Sequence, residues 1–255
     1  LHHATLNGAR IAYVDVPATG PDLQRPIVLV HGFASNHTVN WVNTAWVRVL
    51  THAGRRVVAL DNRGHGESQK FYRAEDYAST TMAADVAALI RHLGLGPVDV
   101  MGYSMGARIG AFLGREQPEL VRSLCLGGLG LHLVDGVGLP LGIADALEAP
   151  SLADVGEPMA RMFRAFAEQT GSDLKALAAC IRGTRQVLDP SEVARMTMPV
   201  LVSVGTADPI AGDPQALAKL FPRGRAFDIA GRDHNLAVGD RSHKEAVLAF
   251  LADLG

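Results

Sequence analysis

Val100-Met-Gly-Tyr-Ser-Met-Gly-Ala107 is the stretch on which the reading of this chain turns. An apolar, β-rich run from Pro97 to Met101 leads into it, and the helix-like Ala107-Arg-Ile-Gly-Ala-Phe-Leu-Gly-Arg-Glu-Gln117 leads out. Gly-x-Ser-x-Gly between a strand and a helix predicts a turn so tight that a Cβ at Gly102 or Gly106 would strike neighbouring backbone. In such a turn Ser104 is held in a strained conformation with its hydroxyl projecting. The N-terminus of the following helix then points at any negative charge that develops there.

Outward from this turn the chain alternates. Ile27 to Val30, Val57 to Leu60 and Val98 to Met101 are short continuous apolar runs, as expected of parallel strands buried on both faces. Ser123 to Leu126, Val200 to Val204 and Ala226 to Ile229 extend the series. Arg10 to Val16 alternates and follows Asn7-Gly8, which reads as half of an antiparallel hairpin whose edge strand carries His2 and His3. Met82, Val86, Leu89, Ile90 and Leu93 fall at helical spacing, as do Val247, Leu248, Leu251 and Leu254. Strands and helices in alternation predict an α/β fold with a mostly parallel central sheet.

Residues 130–196 interrupt the pattern. They carry no convincing strand but helical periodicity from Met159 to Ala167 and from Leu174 to Ile181. An insertion of that length is too long for a bare connector, so a helical cap between the sixth and seventh strands is expected, over the end of the sheet where the strands finish and open α/β sheets bind ligands. The division is then a core of residues 1–129 and 197–255 and a cap of 130–196. Glycines at 127, 128, 130, 136 and 138 are expected to let the cap entrance move.

The 255 residues suffice for one α/β domain with a deep core, and 48% hydrophobic with 20% charged residues is ordinary for a globular protein. A net charge of −2 offers nothing to nucleic acid or an anionic membrane, and neither is expected as a partner. Cys125 and Cys180 sit in apolar surroundings and are expected to be free thiols. No stretch approaches the roughly 20 apolar residues of a membrane span, and Leu1-His-His-Ala-Thr-Leu lacks the layout of a signal peptide. A cytoplasmic location is the default expectation.

Serine becomes a nucleophile only with a base in hydrogen-bond reach, itself oriented by a third group. Both partners follow in the order nucleophile, acid, histidine. Val200-Leu-Val-Ser-Val-Gly-Thr-Ala-Asp208 is a buried strand with a carboxylate just past its end, and Phe227-Asp-Ile-Ala-Gly-Arg-Asp-His234 is a second strand with a histidine in the loop beyond. Asp208 would fix the tautomer of His234, and His234 would take the proton of Ser104. Asp228 and Asp233 are rival acids, the first inside a strand and the second too close to His234 to face its ring. The Met105 N–H, and the Phe33 N–H beyond Val28-Leu-Val-His-Gly32, are the expected oxyanion donors. His31 is read as a structural histidine beneath that loop. Met159, Met162, Phe163 and Phe166 form an apolar stripe that either packs as core or lines a substrate pocket. No metal or other cofactor is expected, since the histidines lack the close spacings of metal sites.

Together His31-Gly-Phe33, Asp61-Asn-Arg-Gly-His-Gly-Glu-Ser68, Gly102-Tyr-Ser-Met-Gly106, Gly205-Thr-Ala-Asp208 and His234 resemble the α/β-hydrolase superfamily over nearly the whole chain outside the cap. The resemblance implies that Asp61 to Ser68 shapes the loop after the fourth strand, with His65 structural. Ser104 stands where the epoxide-hydrolase and haloalkane-dehalogenase branches carry aspartate. The Ser-Met-Gly elbow is similar to the carbon–carbon bond hydrolases, but Asn235 stands where those commonly show tryptophan. Cofactor-free haloperoxidase-like esterases are also similar. The resemblance thus implies a carboxylic ester hydrolase acting through an acyl-enzyme, and the Met and Phe side chains of the cap stripe point to a small-to-medium hydrophobic ester. Lactone or carbon–carbon bond cleavage, and a non-catalytic small-molecule receptor on the same scaffold, are the alternatives.

Overall fold

Residues 1–136 and 138–255 are described by a computed structural model. The apolar runs become eight strands of one sheet: β1 (His2–Leu6), β2 (Ala9–Val16), β3 (Ile27–Val30), β4 (Val57–Leu60), β5 (Val98–Tyr103), β6 (Val121–Gly127), β7 (Val200–Gly205) and β8 (Gly224–Ile229). Their spatial order is β1-β2-β4-β3-β5-β6-β7-β8. Asn7, at φ 46°, turns β1 back on β2, so that His2 and His3 pair antiparallel with Tyr13 and Ala12. From β4 to β8 every pairing is parallel.

Why the central strands read as unbroken apolar runs is plain from their two faces. Val28 and Val30 of β3 join one core cluster with Val86, Ile90 and Phe112, while Ile27 and Leu29 join another with Trp41, Trp46 and Phe250. The first face is covered by α2 (Ser79–His92) and α3 (Met105–Glu116), the second by α1 (Trp46–His52) and α11 (Arg241–Asp253). Among the described residues, no helix is long and apolar enough to cross a membrane. Cys125 and Cys180 are buried and free.

Between β6 and β7 the described residues form helices and no strand: α4 (His132–Asp135), α5 (Gly142–Glu148), α6 (Pro158–Gln169), α7 (Leu174–Gly183) and α8 (Pro190–Val193). This is the helical cap. Asp173 starts α7 by accepting the Ala176 N–H, and Glu157 starts α6 by accepting those of Met159 and Ala160. Sequence periodicity finds α6 and α7 but not α5, whose seven residues are too few to repeat a pattern. The same holds for α1 and for α9 (Pro214–Leu220).

One expectation needs correction. Gly127, Gly128 and Gly130 are not there for motion. A Cβ on Gly127 or Gly128 would stand 2.8 Å from the Tyr103 ring, and one on Gly130 would stand 2.3 Å from the Gly212 carbonyl. These glycines are spaces into which neighbours pack, so the segment leaving β6 is held against the core.

Buried histidines set a pH limit on this fold. Burial pushes His65 down to about 3, with the nearby His31 adding to the effect, and burial pushes His243 down to about 4. Burial lowers His31 as well. In the unfolded chain these rings take up protons below about 6.5, so there the unfolded state binds more protons than the folded one. Full stability is present above pH 6.5 and is lost as the pH falls from there toward the folded values. Each such ring removes about 1.4 kcal/mol per pH unit within that window. The urea midpoint is therefore expected to be flat near pH 7 to 8 and to fall steeply between pH 6.5 and 4.5. A midpoint constant across that range would contradict neutral buried rings.

Candidate active site

Strand β5 ends at Tyr103 and α3 begins at Met105, leaving Ser104 alone to make the turn, at φ 54° and ψ −115°. No L residue adopts these angles without strain. Two glycines make the turn possible. A Cβ on Gly102 would stand 2.2 Å from the Gly106 carbonyl, and one on Gly106 would stand 1.9 Å from the Val30 carbonyl. The turn is further pinned by the Ser104 N–H, which donates to the Gly127 carbonyl at 2.7 Å.

The loops beyond β7 and β8 bring in two further groups. Ser104 Oγ lies 2.9 Å from His234 Nε2, and His234 Nδ1 lies 2.7 Å from Asp208 Oδ2. The Asp208 side chain is fully buried, and its other oxygen accepts the N–H groups of Ile210 and Ala211 at 2.8 and 3.2 Å. His234 opens the short helix α10 (His234–Ala237), capped by Asp233, which accepts the N–H groups of Asn235 and Leu236. Asp233 is thus occupied, and the exposed Asp228 accepts from Gln215. Neither rival acid faces the histidine ring.

Two residues that sequence reasoning passed over hold this arrangement. The Tyr103 hydroxyl donates to the His234 carbonyl at 2.6 Å, and its ring lies 5.5 Å from the imidazole. Asn40 sits in a single π-turn, Thr38–Val42, and its Oδ1 accepts the Gly32 N–H at 3.0 Å. That bond fixes the loop after β3 so that Phe33 follows beside Ser104. Among the described residues, neither the Phe33 nor the Met105 N–H has an acceptor. His31 is buried under this loop, where its Nε2 accepts the Asn62 N–H at 3.0 Å. His65 is buried next to it, and Asp61 accepts N–H groups from His37 and Glu67, so the Asp61–Ser68 segment is built as a loop scaffold.

Two cavities meet at Ser104 and Phe33. One, of about 220 Å³, is walled by Leu129, Leu139, Met159, Ile181 and Ile210, with Arg108 in its lining. The other, of about 320 Å³, is walled by Met162, Phe163, Phe166 and Val238, with Asn40 and His234 in its lining. The apolar stripe of α6 is therefore shared between them. Phe163 also packs edge-on against Phe33 at 6.0 Å, so it belongs to the core as well. Among the described residues, no group of three or more His, Cys, Asp or Glu is arranged to hold a metal ion.

Sheet order, elbow and the place of the helical insertion are those of the α/β-hydrolase fold. A family model described as alpha/beta hydrolase fold matches residues 25–135. A haloalkane dehalogenase of Mycolicibacterium paratuberculosis is 36% identical over 116 residues, 45% of this chain and 36% of that protein. A putative non-heme chloroperoxidase of Synechocystis is 34% identical over 125 residues, 49% of this chain and 44% of that protein. The chain thus spans less than half the length of these curated relatives. Among solved structures, the putative non-heme bromoperoxidase BpoC of Mycobacterium tuberculosis is 26% identical, with a TM-score of 0.72 covering 100% of this chain and 99% of that one.

Proposed function

We propose that this chain is a serine hydrolase that cleaves small-to-medium carboxylic esters through an acyl-enzyme on Ser104. The observation that carries the reading is the unbroken relay from Asp208 through His234 to Ser104, beside two amide N–H groups that have no acceptor among the described residues. Serine at the elbow argues against the aspartate-nucleophile chemistry of dehalogenases and epoxide hydrolases.

His234 takes the Ser104 proton as Oγ attacks the ester carbonyl, and the Phe33 and Met105 N–H groups receive the oxyanion. The same proton must then reach the leaving oxygen, so the leaving group lies on the His234 side, in the larger cavity. The acyl group is left in the smaller, mostly hydrocarbon-walled cavity. Water entering where the alcohol departed gives its proton to His234 and releases the acid.

Turnover of p-nitrophenyl butyrate by the purified protein tests this directly. An organophosphonate ester should stop the reaction by adding one phosphonyl group per chain, at Ser104, readable by peptide mass spectrometry. Label on another residue, or inhibition without label, would overturn the assignment.

A further inference from the structure

Arg108 lies one turn beyond Ser104 on α3 and in the lining of the smaller cavity, yet only 4% of it is exposed. Its guanidinium donates to three carbonyl oxygens: Nη1 to Gln186 at 2.9 Å, and Nη2 to His132 at 2.7 Å and Gly136 at 2.9 Å. Those contacts tie the two ends of the cap to α3. They bring dipoles but no negative charge. Of five N–H groups, two have no acceptor among the described residues. The charged group that bears on it is another cation, Arg185, whose Nη1 donates to the Leu139 carbonyl on the cavity wall. Neither arginine has a carboxylate partner among the described residues.

A buried cation without a counter-ion is costly, and proteins ordinarily pair such charges. The other buried arginines here follow that rule: Arg55 is paired with Asp99, Arg63 with Asp85 and Arg164 with Glu168. Burial, with Arg185 adding to it, pushes Arg108 down to about 10, which still leaves it charged at neutral pH. Arg108 departs from the pattern of its peers, and it does so on the wall of a cavity that opens at Ser104.

We infer that the acyl cavity is built for an acyl group ending in a carboxylate, so that the substrate class is the half-ester of a short dicarboxylic acid. This rests on the ester-hydrolase reading and on the assignment of the two cavities. The distal carboxylate becomes the counter-ion of Arg108, while the hydrocarbon between the two carboxyl carbons lies against Leu129, Met159 and Ile181. The chemistry balances without a co-reactant. Ser104 Oγ bonds to the ester carbonyl, and the alcohol leaves with the serine proton. Water then cleaves the acyl-enzyme to the free dicarboxylate and restores the hydroxyl.

The test compares p-nitrophenyl hemisuccinate, hemiglutarate and hemiadipate with the same three compounds carrying a methyl ester at the distal end. For wild type, at least one half-ester should exceed its methyl ester in kcat/KM by about tenfold or more, the factor one charge-assisted hydrogen bond supplies. In Arg108→Met that preference should vanish or invert. Since loss of the cap ties can unfold the variant, a second measurement uses Ser104→Ala, in which free glutarate should raise Tm and neutral dimethyl glutarate should not. If wild type cleaves the methyl esters as fast as the half-esters, and glutarate leaves Tm unchanged, the inference fails while the hydrolase reading stands. If no ester of either series is cleaved, the hydrolase reading fails first.

Discussion

Ser104→Ala is expected to remove ester turnover, lowering kcat by on the order of 10⁶, as happens when a relay-activated serine is lost. The size of the effect follows from the site's construction. Among the described residues, Oγ of Ser104 is the side-chain nucleophile that His234 Nε2 reaches, at 2.9 Å, so without it the relay has no group on which to build the acyl-enzyme. The fold should be little affected, since alanine retains the Cβ that the turn already accommodates. Ser104→Gly separates chemistry from conformation more sharply. The serine occupies φ 54°, where any Cβ is strained and glycine is not. That variant is expected to be as inactive as the alanine one yet more stable than wild type by about 1 kcal/mol. Burst kinetics with a p-nitrophenyl ester and a urea titration read the two effects independently. Residual turnover near the wild-type rate in either variant would exclude Ser104 as the nucleophile.

The strain at Ser104 shows why the site was legible from the amino-acid sequence while its surroundings were not. Gly102 and Gly106 lie two residues either side of the serine they serve, and the strand and helix that flank them announce themselves by local periodicity. Asp208 and His234 are legible for the same reason, each lying just beyond a run that reads as a strand. Tyr103 is different. Its hydroxyl meets the His234 carbonyl across 131 residues, and nothing near it in sequence predicts that contact. Arg108 reads as one more residue of an amphipathic helix, and only the folded chain shows that its partners are carbonyls 24, 28 and 78 residues away. Asn40 lies in a π-turn whose departure from α-helical hydrogen bonding leaves no signature in residue type. The glycines after β6 mislead for a related reason. Sequence offers flexibility as their purpose, whereas the Tyr103 ring and the Gly212 backbone supply a steric one.

Asp208→Asn is expected to cost about 10⁴ in turnover, and the hydrogen bonds around Asp208 say why. In the wild-type carboxylate, Oδ1 accepts the Ile210 and Ala211 N–H groups while Oδ2 faces Nδ1 of His234. Asparagine has one acceptor oxygen and one donor nitrogen, and the two backbone N–H groups demand the oxygen. The NH₂ group is therefore turned toward His234. Nδ1 must become the acceptor, the ring proton moves to Nε2, and Nε2 can no longer take the proton of Ser104. Geometry is preserved and the tautomer is wrong, so substrate affinity should change far less than kcat. Asp228→Asn alters only an exposed contact with Gln215, and Asp233→Asn retains a side-chain oxygen to cap α10. Both should keep turnover within about threefold of wild type, as expected for surface changes away from the reacting atoms. Steady-state kinetics on the three variants decides the matter. A large loss in Asp228→Asn or Asp233→Asn, with Asp208→Asn near wild type, would move the acid to another strand end and dismantle the relay proposed here.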